Sequence, residues 1–277
     1  MSNILIIGAS GQVGSELAKN LSQAGQNVRK ATSKTATEAD QVHLNLATGE
    51  GLEAAFAGVE KAFLMAPPGY TNQDQLLGPA FAQAQKQGVK KIVLMTAMGA
   101  DANPEAPLRK AEVLLENSGL DYNIIRPNWF MQNFNTFWIQ GILSQQKIFL
   151  PVGQAKGSFI DARDIAAVAA ALLVKDEFKN QAFNLTGDEA LDHDEVAQIL
   201  SAVTGKNIGY EEISPEAMRE GLLGAGLPAD YTEFLLMILG YFKAGYAAQI
   251  TPEVEKITGQ KPIRFAQYAQ DYKQAWA

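Results

Sequence analysis

The sequence contains no cysteine, and its 277 residues include only two histidines, His43 and His193. Disulfide bonds, thiolate nucleophiles and metal sites built from several His or Cys ligands are therefore excluded. A metal site formed by carboxylates alone stays open, but no spacing supports one. A chain without cysteine fits a reducing compartment, and we expect a cytoplasmic location.

Excess positive charge and long apolar runs are absent as well. The chain carries 23 basic and 30 acidic residues, a net charge of -7, which argues against broad binding of nucleic acid or anionic membranes. No apolar run approaches the ~20 residues that cross a bilayer. The longest run, residues 234–239, predicts a short buried helix. The N-terminus has neither a basic start nor a small-residue cleavage site, so we expect no signal peptide.

The first half of the chain alternates short apolar segments with helical patterns. Strands are predicted at residues 4–7, 27–32, 42–46, 61–65, 91–96 and 122–126, with helical segments between most of them. Continuous apolar runs are typical of strands covered on both faces. This alternation predicts the α/β class, a Rossmann doubly wound parallel sheet with right-handed crossovers.

The character of the sequence changes after Pro127, where aromatic residues become frequent. We predict a strand near Phe149, a helix at residues 163–174, a strand at 182–185 and a mostly helical remainder. Asp192 and Glu195 form a capping-box pattern at one helix start. We therefore predict a dinucleotide-binding domain at residues 1–127 and a smaller substrate-binding region at 128–277. The two are expected to be intertwined, with some strands returning to the main sheet.

The clearest motif is the glycine turn, Gly8-Ala9-Ser10-Gly11-Gln12-Val13-Gly14, between the first strand and the first helix. In such motifs the first glycine permits the sharp turn, the second lets the backbone approach a pyrophosphate, and the third lets helix and sheet pack closely. The helix N-terminus then offers free N–H groups to the phosphates. A purely structural turn is the alternative, but the position at the start of a βαβ series favours dinucleotide binding.

The segment after the second strand indicates which dinucleotide is bound. NAD sites usually place Asp or Glu about 20 residues after the glycines, on the adenosine ribose. Here no carboxylate appears until Glu38, and Ser33 and Lys34 lie where the ribose is expected. Both can bind a 2′-phosphate, so the sequence predicts NADP(H). A solvated basic turn is the alternative.

Several motifs give the chain a family resemblance. They are the glycine turn, residues 125–134 (Ile-Arg-Pro-Asn-Trp-Phe-Met-Gln-Asn-Phe) and residues 160–166 (Ile-Asp-Ala-Arg-Asp-Ile-Ala). With these the chain resembles the NmrA-like group of atypical short-chain dehydrogenases. Within that group it is most similar to bacterial NADPH-dependent quinone oxidoreductases and triphenylmethane reductases.

The resemblance implies roles for individual positions. The pyrophosphate contacts would be Gly8, Ser10, Gly11, Gln12 and Val13, and the adenine contacts Asn45 and Leu46. The contacts towards the nicotinamide would be Ala66, Pro67, Pro68, Thr96, Lys110 and Pro127.

The positions of four further residues predict a substrate pocket independently of the resemblance. Tyr70 follows Pro67-Pro68-Gly69, and a surface loop is its alternative. Asn128, Trp129 and Phe130 follow the sixth strand at the edge where ligands bind, and core packing is their alternative.

The proton relay of the wider family, Tyr-x3-Lys, is missing. No lysine here has a tyrosine four residues earlier, and the position four before Lys110 is Ala106. We therefore predict direct hydride transfer from NADPH to a quinone-like or conjugated acceptor, which needs no strong protein acid. Lys110 is the one catalytic candidate, as a ligand of the nicotinamide ribose or a developing oxyanion. An exposed helix lysine is its alternative.

Other functions compete with this prediction. A non-enzymatic NADP(H)-binding redox sensor of the NmrA type suits the missing tyrosine equally, whereas a sugar-nucleotide epimerase normally needs that tyrosine. Asp192-His193-Asp194-Glu195 is better explained by a helix start than by a metal site. We expect a small-molecule substrate and neither a nucleic-acid nor a membrane partner. A homodimer stays open.

Overall fold

The computed structural model describes residues 2–276, which form two compact units. The first unit contains the chain up to Pro127, together with Ala162–Leu185 and Lys256–Gly259. The second contains Asn128–Asp161, Thr186–Glu255 and the chain from Gln260 onward. Residues 162–185 are thus a part of the predicted second region that returns to the main sheet.

The first unit is built on a seven-stranded parallel sheet with the order β3-β2-β1-β4-β5-β6-β8. The order reverses between β1 and β4, and ligands of open α/β sheets bind at the carboxyl ends of the strands at this switch point. A separate parallel pair, β7 and β9, lies in the second unit. The strands are β1 (Asn3–Ile6), β2 (Asn27–Thr32), β3 (Gln41–His43), β4 (Lys61–Met65), β5 (Lys91–Met95), β6 (Asp121–Pro127), β7 (Lys147–Leu150), β8 (Gln181–Leu185) and β9 (Gly209–Glu212).

Helices cover both faces of the main sheet, because α1 packs against α6 and α3 packs against α4. Short 3-10 turns lie at Ala100–Ala102, Met131–Asn135 and Lys273–Trp276. The helices are α1 (Gln12–Gln23), α2 (Leu52–Phe56), α3 (Gln73–Lys86), α4 (Pro107–Glu116), α5 (Ile139–Gln145), α6 (Ala162–Val174), α7 (His193–Thr204), α8 (Pro215–Gly224), α9 (Ala229–Lys243), α10 (Glu253–Thr258) and α11 (Phe265–Asp271).

The central strands are buried on both faces, as their apolar runs predict. Ile4, Leu5 and Ile6 of β1 are completely buried, and every residue of β5 is buried. The third strand is shorter than predicted, since it ends at His43 instead of residue 46. The reason is a local turn: the Asn45 side-chain oxygen accepts a hydrogen bond from Ala47 N at 3.0 Å, and Asn45 pairs with Glu50.

Two lysines at the amino ends of neighbouring strands hold the C-terminus of α6. Lys61 Nζ donates to the Leu173 carbonyl at 2.7 Å, and Lys91 Nζ donates to the carbonyls of Leu172 and Lys175. Lys91 is 1% exposed, and burial, reinforced by Lys61, lowers its pKa. The free carbonyls of a helix end carry partial negative charge, so these ammonium groups stabilise α6 against the sheet.

The second unit has a core rich in aromatic rings. Phe134, Phe159 and Phe265 are buried there, and the Trp276 indole donates to the Phe134 carbonyl at 3.1 Å. The ring of His193 lies among them, within 5.3–6.0 Å of five aromatic ring centroids. This unit therefore has its own apolar core.

The prediction of a buried helix at residues 234–239 is wrong in one respect. These residues lie in α9, but Met237 is 48% exposed, and the helix buries only Thr232, Leu239 and Phe242. Residues of α9 stay exposed because this helix packs against α8, which has no buried residue itself. An apolar run can predict a helix, but how far that helix is buried depends on which elements pack against it.

Candidate nucleotide site and its surroundings

The glycine turn begins where β1 ends and closes on itself by backbone hydrogen bonds. Gly8 has φ +82, a left-handed conformation that other residues rarely adopt, and Gly11 N donates to the Gly8 carbonyl at 3.0 Å. A Cβ placed on Gly14 would lie 2.1 Å from the Gly8 carbonyl oxygen. The turn can therefore bring the start of α1 against the end of β1 only with glycine at these positions.

The N-terminus of α1 is open to a ligand. Its N-cap is Gly11, and among the described residues no side chain caps it. The first helical hydrogen bond runs from Ser15 N to Gly11 O at 3.0 Å, so the N–H groups before it have no partner within the helix. In α7, by contrast, Asp192 and Glu195 cap the helix reciprocally, as predicted. Ser10, Gly11 and Gln12 are exposed, and an anion can reach them.

A cleft of about 410 Å³ lies beside the glycine turn. Its wall combines Ala9 and Ser10 of the turn, Ser15 and Lys19 of α1, and Ala31 and Thr32 at the end of β2. Lys30, Glu38 and Gln41 complete the side towards β3. The turn and the end of the second strand flank the adenosine ribose in Rossmann folds. The cleft is thus placed for the adenosine end of a dinucleotide.

Lys30, which lines this cleft, is paired with two carboxylates. Lys30 Nζ lies 2.8 Å from Asp40 Oδ2 and 3.6 Å from Glu38 Oε2. The hydrogen bond with Asp40 raises the pKa of Lys30, so the lysine is charged at neutral pH. Ser33 and Lys34 are exposed just beyond β2, where Lys34 N donates to Thr32 Oγ1 at 3.2 Å. Their predicted role at the 2′-phosphate stays a prediction.

The carboxyl edge of the sheet brings other predicted positions together. Strand register aligns Met65, Met95 and Ile125 of β4, β5 and β6, so Ala66, Thr96 and Pro127 all lie at or just beyond one edge. Backbone bonds continue the pairing there, from Thr96 N to Ile125 O at 2.9 Å and from Met98 N to Pro127 O at 3.0 Å. Pro67 and Pro68 follow β4 on the same side, and Asn45 and Leu46 follow β3.

A buried ionic cluster, which we did not predict from the sequence, lies at this edge. Glu112 of α4 is completely buried and accepts hydrogen bonds from Thr96 Oγ1 at 2.7 Å and from Arg126 Nε and Nη2 at 2.8 and 2.7 Å. Arg109 Nη1 adds a bond to Glu112 at 3.0 Å. Burial alone would raise the pKa of Glu112, but the bonds from Arg126 and Thr96 outweigh it and lower that pKa.

The cluster fixes the orientation of the Thr96 hydroxyl group. An ionised carboxylate only accepts hydrogen bonds, so the Thr96 hydroxyl must donate to Glu112 and can only accept from a ligand. Thr96 is therefore not a proton donor in this arrangement. One signal in the sequence points to the cluster: Arg126 follows Ile124 and Ile125 in an apolar strand, and a charge inside such a strand needs a buried partner.

Lys110 lies on the exposed side of α4. Its Nζ is 2.8 Å from Glu105 Oε2, and its side chain is 46% exposed. The hydrogen bond with Glu105 raises the pKa of Lys110. Lys110 is therefore a cation at neutral pH, and its partner is an exposed carboxylate that it can leave at little cost.

The predicted pocket residues divide between the units. Tyr70 follows β4 and is 39% exposed, and its carbonyl accepts from Gln73 Nε2 at 2.6 Å. In the second unit, the buried Asn128 amide donates to Ser158 Oγ at 2.7 Å and to the Ala247 carbonyl at 2.8 Å.

The next two residues of the second unit pack within it. Trp129 stacks on Trp138 with ring centroids 6.1 Å apart, and Phe130 pairs with Ile160. These contacts show that Asn128 and Trp129 help to hold their own unit. Their contact with nicotinamide or substrate stays a prediction.

Two kinds of feature are absent from residues 2–276. No helix in this range is long and apolar enough to cross a membrane. No group of His, Cys, Asp and Glu within it is arranged to hold a metal ion.

The chain is similar to a known protein family and to several reductases. The model of the NmrA-like family matches residues 1–269. The NAD(P)H azoreductase of Xenophilus azovorans is 32% identical over 286 residues, covering 99% of this chain and 99% of that protein. Citrobacter sp. triphenylmethane reductase, solved with NADP(H), has a TM-score of 0.84 at 24% identity, covering 98% of this chain and 99% of its own. Escherichia coli NADPH-dependent quinone oxidoreductase QOR2, solved with NADPH, has a TM-score of 0.83 at 21% identity, covering 97% and 99%.

Proposed function

The chain belongs to the NmrA-like family, and we propose that it is an NADPH-dependent reductase that transfers hydride to a quinone-like or conjugated small molecule. The general function, that of an NAD(P)H-dependent oxidoreductase, is supported by the similarity of nearly the whole chain to known reductases. The choice of acceptor and the absence of a tyrosine–lysine relay are our own proposals. A cytoplasmic location also stays a prediction, and a homodimer stays open.

The observation that carries the proposal is the glycine turn with its uncapped helix. The Gly14 Cβ position, 2.1 Å from the Gly8 carbonyl oxygen, leaves no alternative residue, and no side chain among those described caps α1. A turn this tight, followed by free N–H groups and the partial positive charge of a helix start, suits a pyrophosphate. The residues present therefore fit a dinucleotide.

Particular residues would hold each part of the cofactor. The backbone of Ser10, Gly11, Gln12 and Val13 would bind the pyrophosphate, and Asn45 and Leu46 would lie near the adenine. Ala66, Pro67, Pro68, Thr96 and Pro127 would line the edge towards the nicotinamide. The bound nucleotide would supply the hydride.

The need for a proton donor distinguishes one class of hydride acceptor from another. The Thr96 hydroxyl donates its hydrogen bond to Glu112, and Lys110 pairs with Glu105, so no neutral acid is held at the edge by either residue. An unactivated ketone needs a proton as its alkoxide forms, whereas a quinone that accepts hydride becomes a delocalised anion that water can protonate. The arrangement therefore favours a quinone or a similarly electron-poor acceptor.

The proposal is tested by steady-state assays with NADPH across a panel of quinones, with an unactivated ketone as the control acceptor. We expect turnover with quinones and none with the ketone. Binding of NADPH without turnover of any quinone would contradict the reductase and favour a sensor. If calorimetry shows no binding of NADPH or NADH, both the reductase and the sensor function are contradicted.

A substitution of Lys110 tests the one catalytic candidate. Lys110→Met is expected to raise KM for NADPH if the lysine binds the nicotinamide ribose, and to lower kcat if it stabilises an oxyanion. The matched control is Lys90→Met, which breaks a similar exposed ion pair with Glu60, 3.0 Å long, at the opposite end of the strands. If both variants keep wild-type kcat and KM, Lys110 has neither role.

A further inference from the structure

The cleft beside the glycine turn contains a lysine that two carboxylates share. Lys30 extends from β2, and Asp40 and Glu38 belong to the segment that returns from β2 to β3. A backbone bond from Lys30 N to Asp40 O, 2.8 Å long, holds this segment alongside the strand. The side chains of Lys30, Glu38 and Asp40 are 32%, 60% and 42% exposed. Ion pairs this exposed are screened by water and contribute little.

Lys30 lies in the part of the cleft where we expect the adenosine ribose. Ser10 of the glycine turn and Thr32 at the end of β2 line the same cleft as Lys30 and Glu38. A ribose bound between the turn and β2 would direct its 2′-substituent towards this wall. Lys34, the lysine that the sequence suggests, is exposed beyond the strand end and is not part of the wall described for this cleft.

We propose, on the basis of the NADPH-dependent function above, that Lys30 discriminates NADPH from NADH by exchanging Asp40 and Glu38 for the 2′-phosphate. The exchange costs little, because the pairs it breaks are exposed, and a phosphate brings about as much negative charge to the ammonium as the two carboxylates it replaces. Glu38 limits the discrimination in two ways. It repels the 2′-phosphate, and it can accept a hydrogen bond from the free 2′-hydroxyl of NADH. The chain therefore uses both nucleotides, with a preference for NADPH that these side chains set.

The experiment measures two ratios for each variant. The first is kcat/KM with NADPH over kcat/KM with NADH. The second, which needs no turnover, is the calorimetric affinity for adenosine 2′,5′-bisphosphate over that for adenosine 5′-monophosphate. We expect Lys30→Met to lower both ratios about tenfold, equivalent to about 1.4 kcal/mol. Glu38→Gln is expected to raise both ratios.

Two further lysine variants make the result specific. Lys34→Met tests the rival position, and Lys90→Met controls for loss of an exposed cation outside the cleft. If Lys30→Met leaves both ratios unchanged, or if Lys34→Met lowers them and Lys30→Met does not, the inference is overturned. Thermal melting of each variant shows whether it is folded. A wild-type protein that binds neither adenosine nucleotide nor NADPH would instead contradict the proposed function itself.

Discussion

At Gly14 a single missing methyl group decides whether the turn can form. Gly14→Ala would place a Cβ 2.1 Å from backbone oxygen, so either α1 or the turn must shift. We expect a loss of stability of about 1–3 kcal/mol and loss of measurable NADPH binding. Gly78→Ala is the matched control, because its Cβ would meet only a Leu114 side-chain carbon at 3.6 Å.

This control should change stability little. Gly78 lies inside α3, where alanine is ordinarily favoured over glycine by about 0.5–1 kcal/mol, but Pro79 follows it and disfavours a helical residue with a Cβ before it, so the two effects oppose each other. Urea unfolding and nucleotide calorimetry measure both variants. Equal stability of Gly14→Ala and wild type would contradict the steric argument.

His193 makes the second unit sensitive to acid. Its ring is 1% exposed, neither nitrogen has a hydrogen-bond partner among the described residues, and burial lowers its pKa to about 3. The unfolded chain takes up a proton near the ordinary value of 6.5, so stability is complete above that pH and falls as the pH drops towards 3. The expected loss between about pH 8 and about pH 5 is about 2 kcal/mol.

The matched variant for this prediction is His193→Phe, which keeps an aromatic ring of similar size and removes the titration. We expect a flatter dependence of unfolding free energy on pH than in the wild type. Trp129, Trp138 and Trp276, the three tryptophans of the sequence, belong to the second unit, so tryptophan fluorescence reports its unfolding. Parallel pH profiles for variant and wild type would refute the role of His193.

At the scale of elements, the Glu112 cluster attaches α4 to β5 and β6. Glu112→Ala would remove the buried carboxylate that accepts from Arg126 and from Thr96, and would leave Arg126, whose side chain is 9% exposed, paired with Asp101, whose side chain is 44% exposed. We expect a loss of about 3–5 kcal/mol. Glu116→Ala removes the other partner of Arg109 from the same helix, but its side chain is 28% exposed, so we expect a loss of less than about 1 kcal/mol. Urea titrations compare the two, and similar losses would contradict the distinction.

The helix α8 should open more readily than other helices. It has no buried residue, whereas α6 buries eight. Helices without buried apolar contacts lie at the low end of local stability. Hydrogen exchange read by mass spectrometry should show fast exchange at Pro215–Gly224 and slow exchange at Ala162–Val174. Equal protection of the two helices would count against this expectation.

Sequence patterns predicted most elements of the sheet because those patterns are local. The predicted bounds of β2 and β4 match the structure, and the fold and family predictions are confirmed. The end of β3 was missed because Asn45 forms a side-chain turn that competes with the strand. The exposure of α9 was missed because hydropathy does not reveal which neighbour a helix has.

The candidate site was predictable only where its residues are consecutive. The glycine turn is one short run, and its conformation follows from it. The cluster of Thr96, Glu112 and Arg126 joins three elements, and its members are separated by 16 and 14 residues along the chain. Lys30 and Asp40 meet because β3 pairs with β2, a contact that no local pattern contains.

For the whole molecule, the passage of the chain between the units has a consequence for its synthesis. When a ribosome has produced residues up to Pro127, β6 is complete, but its neighbour β8 (Gln181–Leu185) does not yet exist. The helix α6, which packs against α1, is also still to come. Ile124 and Ile125 then lie in an edge strand that is paired only with β5, a form that associates readily with other chains. We therefore expect the nascent protein to be most prone to aggregation until β8 has been synthesised and pairs with β6.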